Sequence, residues 1–158
     1  QLEENTILDA QVTSEIKVRY APRKFLPDYR SIRDIRIILP TQQDRKISSE
    51  VLNTRYTINP DSDRMGINLS AQSPLPPLAG ILSEGIALGT VQLPPSGNPI
   101  VLMNDRQTQG GYAKVGTIAR VDLSLLAQAR PGTQIKLVPI SQQESANQWA
   151  DFAQYFEL

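Results

Sequence analysis

The sequence predicts a mainly β domain with two or three short helices, and three observations carry that expectation. Short apolar runs recur at 66–69, 79–82, 90–93, 100–103, 116–121 and 134–140, each of strand length rather than helix length. Nine Gly and twelve Pro fall largely between these runs, where they close strands and set turns. Glu15 to Tyr20 alternates strictly, with Ile16, Val18 and Tyr20 on one face and Glu15, Lys17 and Arg19 on the other, the signature of a half-buried strand. Close strand spacing of this kind fits a barrel or a sandwich, and 158 residues suffice for one domain with a real core.

The elements follow in order. Residues 1–14 are polar and weakly patterned, and after the strand at 15–20, Pro22 and Pro27 impose an extended connector. Residues 1–30 are therefore read as an N-terminal segment and connector, and 31–158 as the barrel domain. Ile32 to Leu39 is the next strand, with Ile35, Ile37 and Leu39 on one side. Ser48 is the expected cap of a short helix reaching about Leu52. Arg55 to Asn59 is a strand closed by Asn59-Pro60, and Pro74, Pro76 and Pro77 favour a polyproline-like surface segment. Ser96-Gly97 reads as a tight hairpin before the strand at 100–103. Asp122 is the expected N-cap of a helix over 123–129, stopped by Pro131-Gly132. Ser141 and Glu144 form a capping-box pattern. Ala146, Trp149, Ala153 and Phe156 then share one helical face, read as docking onto the barrel or, less economically, as a partner interface.

Composition excludes much chemistry. The chain has no Cys and no His, which removes a Ser-His-Asp triad, a thiol nucleophile and a His- or Cys-ligated zinc. No metal site is expected. Sixteen basic and sixteen acidic residues cancel, which argues against nucleic acid or an anionic membrane as the main partner. No window approaches the roughly 18 apolar residues of a membrane span. The chain opens at Gln1 without a secretory pattern, so a cytoplasmic fragment of something longer is the expectation.

Four polar constellations remain. Asp61 to Gly66 places Arg64 in a turn, either as a forked donor for a carboxylate or in a surface ion pair with Asp61 or Asp63. Ser83-Glu84-Gly85 offers a hydroxyl, an acid and a flexible backbone, although a turn is the favoured account of the triplet. Gln92 ends a strand and can present its amide. Asn104 to Lys114, NDRQTQGGYAK, follows the apolar run 100–103 and is the densest cluster. A solvated turn would explain it, but it also has the layout of a binding loop on a rigid scaffold. Arg106 and Lys114 supply positive charge, and Gly110-Gly111 bring backbone N–H groups close to an anion. Gln107, Thr108 and Tyr112 add polar contacts, and Asp105 orients Arg106 or accepts a proton. The set suits a carboxylate or a single anionic oxygen. The P-loop spacing is absent.

In this order and spacing, the blocks 62–66 (SDRMG), 83–85 (SEG), 91–118 (VQLPPSGNPIVLMNDRQTQGGYAKVGTI) and 122–132 (DLSLLAQARPG) resemble the second-subunit family of allophanate hydrolase. This is the biotin-dependent carboxyltransferase-like family, or the 5-oxoprolinase C subunit family, and it includes an antagonist of a sporulation kinase inhibitor. The chain departs from the family pattern at Ala113, where Pro is usual, and at Leu39-Pro40-Thr41 and near Ile47. The resemblance implies a cyclophilin-like β-barrel and identifies the chain as the C-terminal half of a subunit inactive alone. It implies as partners a related first subunit and a third subunit that together open 5-oxo-L-proline to L-glutamate with ATP. A carboxyltransferase part of a biotin-dependent urea carboxylase, or a non-catalytic regulator of a kinase inhibitor, are the alternatives. No cofactor is expected on this chain itself, ATP belonging to the complex and biotin to the alternative. Either reaction places negative charge on an oxygen, so preorganised donors matter more than a histidine. Arg106 and Lys114 are the candidate donors, with Asp105, Glu84 and Tyr112 to orient or move a proton. Arg64, Ser83, Gln92, Gln107, Thr108, Gly110 and Gly111 are the candidate substrate contacts.

Overall fold

A computed structural model describes residues 20–26, 34–40 and 45–156. Seven strands close a barrel: β1 (Asp34–Ile38), β2 (Arg55–Ile58), β3 (Gly66–Ala71), β5 (Thr90–Leu93), β6 (Ile100–Leu102), β8 (Ala113–Ile118) and β9 (Gln134–Pro139). Their order around the wall is β1-β8-β5-β6-β3-β2-β9, with β9 returning to β1. All neighbouring pairs are antiparallel except β1 with β9, where Asp34 to Ile37 run beside Lys136 to Pro139. Closure leaves the barrel wall without an unpaired edge. Two short strands, β4 (Glu84–Gly85) and β7 (Gln109–Gly110), form a separate ribbon. Helices α1 (Arg45–Asn53), α2 (Leu123–Gln128) and α3 (Gln142–Phe156) pack outside the wall.

Period-two patterning builds the core. Ile35 and Ile37 of β1, Tyr56 and Ile58 of β2, Val91 and Leu93 of β5, Val115 of β8, and Ile135 and Leu137 of β9 are all essentially inaccessible. Tyr56 donates its hydroxyl hydrogen to the Val51 carbonyl at 3.0 Å, which satisfies the buried phenol and ties α1 to the wall.

Several expectations shift. Residues 15–19 of the strand predicted at 15–20 and the start of the one at Ile32 lie outside the described residues, and Tyr20, read as part of the buried face, lies in no strand and is 84 % exposed. Ser48 does not cap α1, because the helix already begins at Arg45. Residues 79–82 form no strand: Ile81 meets Gly111 through one backbone bond of 2.8 Å, and Leu82 is 92 % exposed. The strand expected from 116 begins at Ala113 and ends at Ile118, and 120–122 is a 3-10 turn. Asp122 precedes α2 as expected, but its carboxylate makes no cap. Instead it accepts from the Arg36 backbone N–H at 2.8 Å and from Arg36 Nε at 2.9 Å, with a further contact to Nη2. The tertiary partner wins because a charged, forked donor binds a carboxylate more strongly than a helix N–H does.

The capping box on α3 is present: the Glu144 N–H donates to Ser141 Oγ and the Ser141 N–H to Glu144 Oε2, both at 3.1 Å. The aromatic face of α3 does not lie on the barrel strands. Trp149 stacks on Phe152, Arg120 of the 3-10 turn sits 3.7 Å over the Trp149 ring, and Phe25 of an N-terminal 3-10 turn packs edge-on to Phe152. The hairpin at Ser96-Gly97 holds: Gly97 has φ of 74° and its carbonyl accepts from the Leu75 N–H at 2.8 Å, pinning the proline-rich segment. An added Cβ there would meet Leu75 O at 2.3 Å, so both backbone sign and space call for glycine.

Candidate functional site

The polar cluster at 104–114 is one run of sequence but two places in space. After β6 the chain leaves the barrel at Met103, turns through Asn104 and Asp105, and returns as β7 and β8. Its first part meets the turn between β2 and β3. Asp63 Oδ1 accepts from the backbone N–H of Met65 and Gly66 at 2.8 and 3.1 Å, which fixes that turn. Arg64 then projects outward and pairs with Asp105, Nε to Oδ2 at 2.7 Å and Nη2 to Oδ1 at 3.2 Å. That hydrogen bond raises the Arg64 pKa and holds the Asp105 carboxyl below the usual carboxylate range. Both groups are in water, so the pair adds little to stability. The expected partners Asp61 and Asp63 do not take Arg64, and Asp105 orients Arg64 rather than Arg106.

The second part folds over the barrel end. Residues 109–110 pair with 84–85 as the β4–β7 ribbon, and Ile86 N–H extends it to the Thr108 carbonyl at 3.0 Å. Two cations strap this ribbon down. Lys114 Nζ contacts Glu84 Oε1 and the Gly85 carbonyl, each at 2.8 Å. Arg106 donates through Nε to the Ile86 carbonyl at 3.2 Å and through Nη1 to the Met103 carbonyl at 3.3 Å. Each of the two candidate donors therefore already holds backbone oxygens.

Gln92 lies beneath the ribbon. The register of β5 against β8 slips between Val91 and Gln92, after which Gln92 faces Lys114. A bulge of this kind re-aims a side chain, and cross-strand partners leave the same face of the sheet. Gln92 is 1 % exposed, and its Nε2 has no partner among the described residues. An unsatisfied buried donor costs about 1–3 kcal/mol, and Gln92 carries that cost in this arrangement. Gly110 sits directly over it: a Cβ there would fall 3.0 Å from Nε2 and 2.6 Å from Ile86 Cδ1. Glycine thus lets the ribbon close onto the amide.

The structure therefore gathers Glu84, Gln92, Arg106, Thr108, Gly110, Gly111 and Lys114 around the ribbon, and sets Arg64 and Asp105 apart. Gln107 and Tyr112 flank the ribbon in exposed positions, Tyr112 at 45 %, and Ser83 precedes β4 in solvent. Sequence reasoning missed Ile86, which packs under Gly110; its signal was its position one residue past the Ser83-Glu84-Gly85 block. Among the described residues no group of three or more His, Cys, Asp or Glu is placed to hold a metal ion. Among them also, no helix is long and apolar enough to cross a membrane. Chemically, the ribbon site offers one neutral amide donor in a nearly dry setting, flanked by Lys114, paired with Glu84, and by Arg106, held on backbone carbonyls. That suits the oxygen of a carbonyl on which negative charge develops.

Comparison with known proteins agrees with this architecture. The chain is 40% identical over 120 residues to the 5-oxoprolinase C subunit of Haemophilus influenzae, covering 73% of this chain and 39% of that protein. It is 36% identical over 115 residues to the Escherichia coli (strain K12) protein of the same name, covering 72% and 37%. The chain thus spans less than two fifths of either relative's length in the matched region. The crystal structure of Kluyveromyces lactis urea carboxylase shares the fold, with a TM-score of 0.68 at 19% identity over 84% of this chain and 13% of that one. Residues 1–139 match the family described as carboxyltransferase domain, subdomain A and B. With most of its length matched and its barrel as described, the chain belongs to that carboxyltransferase-domain family.

Proposed function

We propose that this chain is the C-terminal part of a subunit of an ATP-dependent 5-oxoprolinase complex, which opens 5-oxo-L-proline to L-glutamate. The observation that carries the reading is the 40% identity to a protein named as the C subunit of 5-oxoprolinase. The partners in this reading are a related first subunit and a third one, and the work is done in the cytoplasm. Residues 31–158 are the barrel unit, preceded by an N-terminal segment and connector.

The ribbon site fits ring opening of a cyclic amide. Addition of a nucleophile to that carbonyl drives charge onto its oxygen before the C–N bond breaks and the carbonyl re-forms, and a preorganised donor in a dry site lowers the barrier. Gln92 Nε2 is that donor, since its hydrogen is otherwise unused. Lys114 and Arg106 act by positioning: they hold β4 and Ile86 so that the ribbon covers the amide. Glu84, paired with Lys114, and the exposed Tyr112 are the groups to orient or move a proton. Ser83, Gln107, Thr108, Gly110 and Gly111 border the substrate, and Arg64 with Asp105 lies at the outer edge. The sequence lacks the P-loop spacing, and in this reading ATP belongs to the complex. The family's carboxyltransferase description favours the second reading, transfer of a carboxyl group from biotin, in which the same amide serves the ureido oxygen.

The test is ATP-dependent formation of glutamate from 5-oxoproline by the complete complex. Gln92→Leu keeps the buried volume but removes the donor, and about a 100-fold loss in kcat is expected. Lys114→Met should lower kcat through a loosened ribbon. Unchanged turnover in Gln92→Leu would overturn the assignment. Carboxyl transfer from biotin with silent 5-oxoproline turnover would favour the second reading, and silence in both would favour a regulatory binding role.

A further inference from the structure

On the far side of Met103 from the ribbon lies a cavity of about 570 Å³. Its size falls within the few-hundred to thousand Å³ range of small-molecule sites. Ile58, Ile67, Leu88, Met103 and Leu123 make an apolar floor. Ser62, Asp63, Arg64, Asn104 and Ser124 form a polar lip. Residues from three of the four sequence blocks singled out above (62–66, 91–118 and 122–132) meet here, although nothing in their spacing predicts a shared hollow. The wall from α2 is cut away at Ala127, an exposed position where most side chains would fill the space.

The lip selects the ligand. Its two charges are already engaged in part: Asp63 Oδ1 by the backbone N–H of Met65 and Gly66, Arg64 Nε and Nη2 by Asp105. An anion or a cation would have to compete with those contacts. The Asn104 amide and the Ser124 hydroxyl, by contrast, are committed to no side-chain hydrogen bond among the described residues, and they come from different elements, the turn after β6 and α2. One can donate and accept through separate atoms, and the other can do both through one. We propose that this cavity binds a neutral small molecule with an apolar body and a hydrogen-bonding head of carboxamide or hydroxyl type, at a site separate from the ribbon.

The test is isothermal calorimetry on the full protein with octanamide as the probe, alongside octanoate and octylammonium. Saturable octanamide binding is expected, with the two charged analogues at least tenfold weaker. Ala127→Phe should abolish binding by filling the hollow. Asn104→Leu, on an exposed turn, should weaken octanamide about tenfold, the loss of one neutral hydrogen bond. Absence of saturable binding would overturn the proposal. So would octanoate or octylammonium binding as tightly as octanamide, or wild-type affinity in both variants. Glutamate formation is read separately, so failure here leaves the ribbon assignment standing.

Discussion

Removing the carboxylate of Asp122 should be among the most costly single changes in this chain. The Asp122 side chain is 1% accessible, while Arg36 opposite it is 35% accessible. One carboxylate takes the Arg36 backbone N–H at 2.8 Å and Nε at 2.9 Å, and a second contact runs from Nη2. Arg36 also reaches Gln148 on α3, so the group joins β1, the 3-10 turn before α2, and the C-terminal helix. This geometry raises the Arg36 pKa, chiefly through the hydrogen bond to Asp122. In Asp122→Ala, a half-buried cation and a backbone N–H both lose their acceptor. Breaking a buried pair from one side costs about 3–5 kcal/mol. Water reaching the exposed third of Arg36 places the loss near the lower end, about 3 kcal/mol. For a domain of this length that is a drop in Tm of about 6–12 °C. Urea and thermal unfolding measure it directly. An Arg36→Met, Asp122→Leu double variant should recover much of the loss, because an apolar pair leaves no orphan charge. A cost below about 1 kcal/mol for Asp122→Ala, or a double variant no better than the single, would refute the reasoning.

Gly110→Ala should destabilise by about 1–3 kcal/mol and lower turnover of the complex, because its Cβ overlaps Ile86 and crowds Gln92. Gly85→Ala on the paired strand has open space and should be nearly silent, so equal urea midpoints for the two would contradict the packing argument. The α3 cap carries a pH signature: hydrogen bonds from the Ser141 side chain and backbone hold the Glu144 pKa below its ordinary 4.5. Its folded value is depressed, so the stabilisation is complete above the ordinary value and fades as pH falls through the lower folded one. Stability measured between pH 5 and pH 3 should lose part of its slope in Ser141→Ala, and an unchanged slope would count against the cap.

Strand identity is legible in the sequence because alternation and punctuation are local. Tyr56 and Ile58, Val91 and Leu93, Ile135 and Leu137 each declare a buried face within a few residues. The capping box at Ser141 is legible for the same reason. Asp122 misleads because a cap and a tertiary ion pair use the same carboxylate, and the competitor, Arg36, stands 86 residues away. Residues 79–82 mislead because an apolar run does not say whether a sheet has room for it. With the wall already closed by seven strands, that run is left outside, joined only to Gly111.

The loop at 104–114 shows the same limit at the level of function. Its density of polar residues makes it stand out in the sequence, and adjacency along the chain suggests one constellation. Arg106 explains the division. By gripping the carbonyls of Met103 and Ile86 together, it pins the point where the chain leaves β6 to the segment that follows β4. Asn104 and Asp105 fall to the cavity side of that clamp, and Gln109 and Gly110 to the ribbon side. A residue that looks in sequence like a free cation for substrate is, in the fold, a clamp between the end of β6 and the segment after β4. Arg106→Ala should therefore disturb ribbon closure and cavity shape together, whereas Gln92→Leu touches only the first and Ala127→Phe only the second. Loss of glutamate formation in Arg106→Ala with octanamide affinity unchanged would show that the clamp serves the ribbon alone.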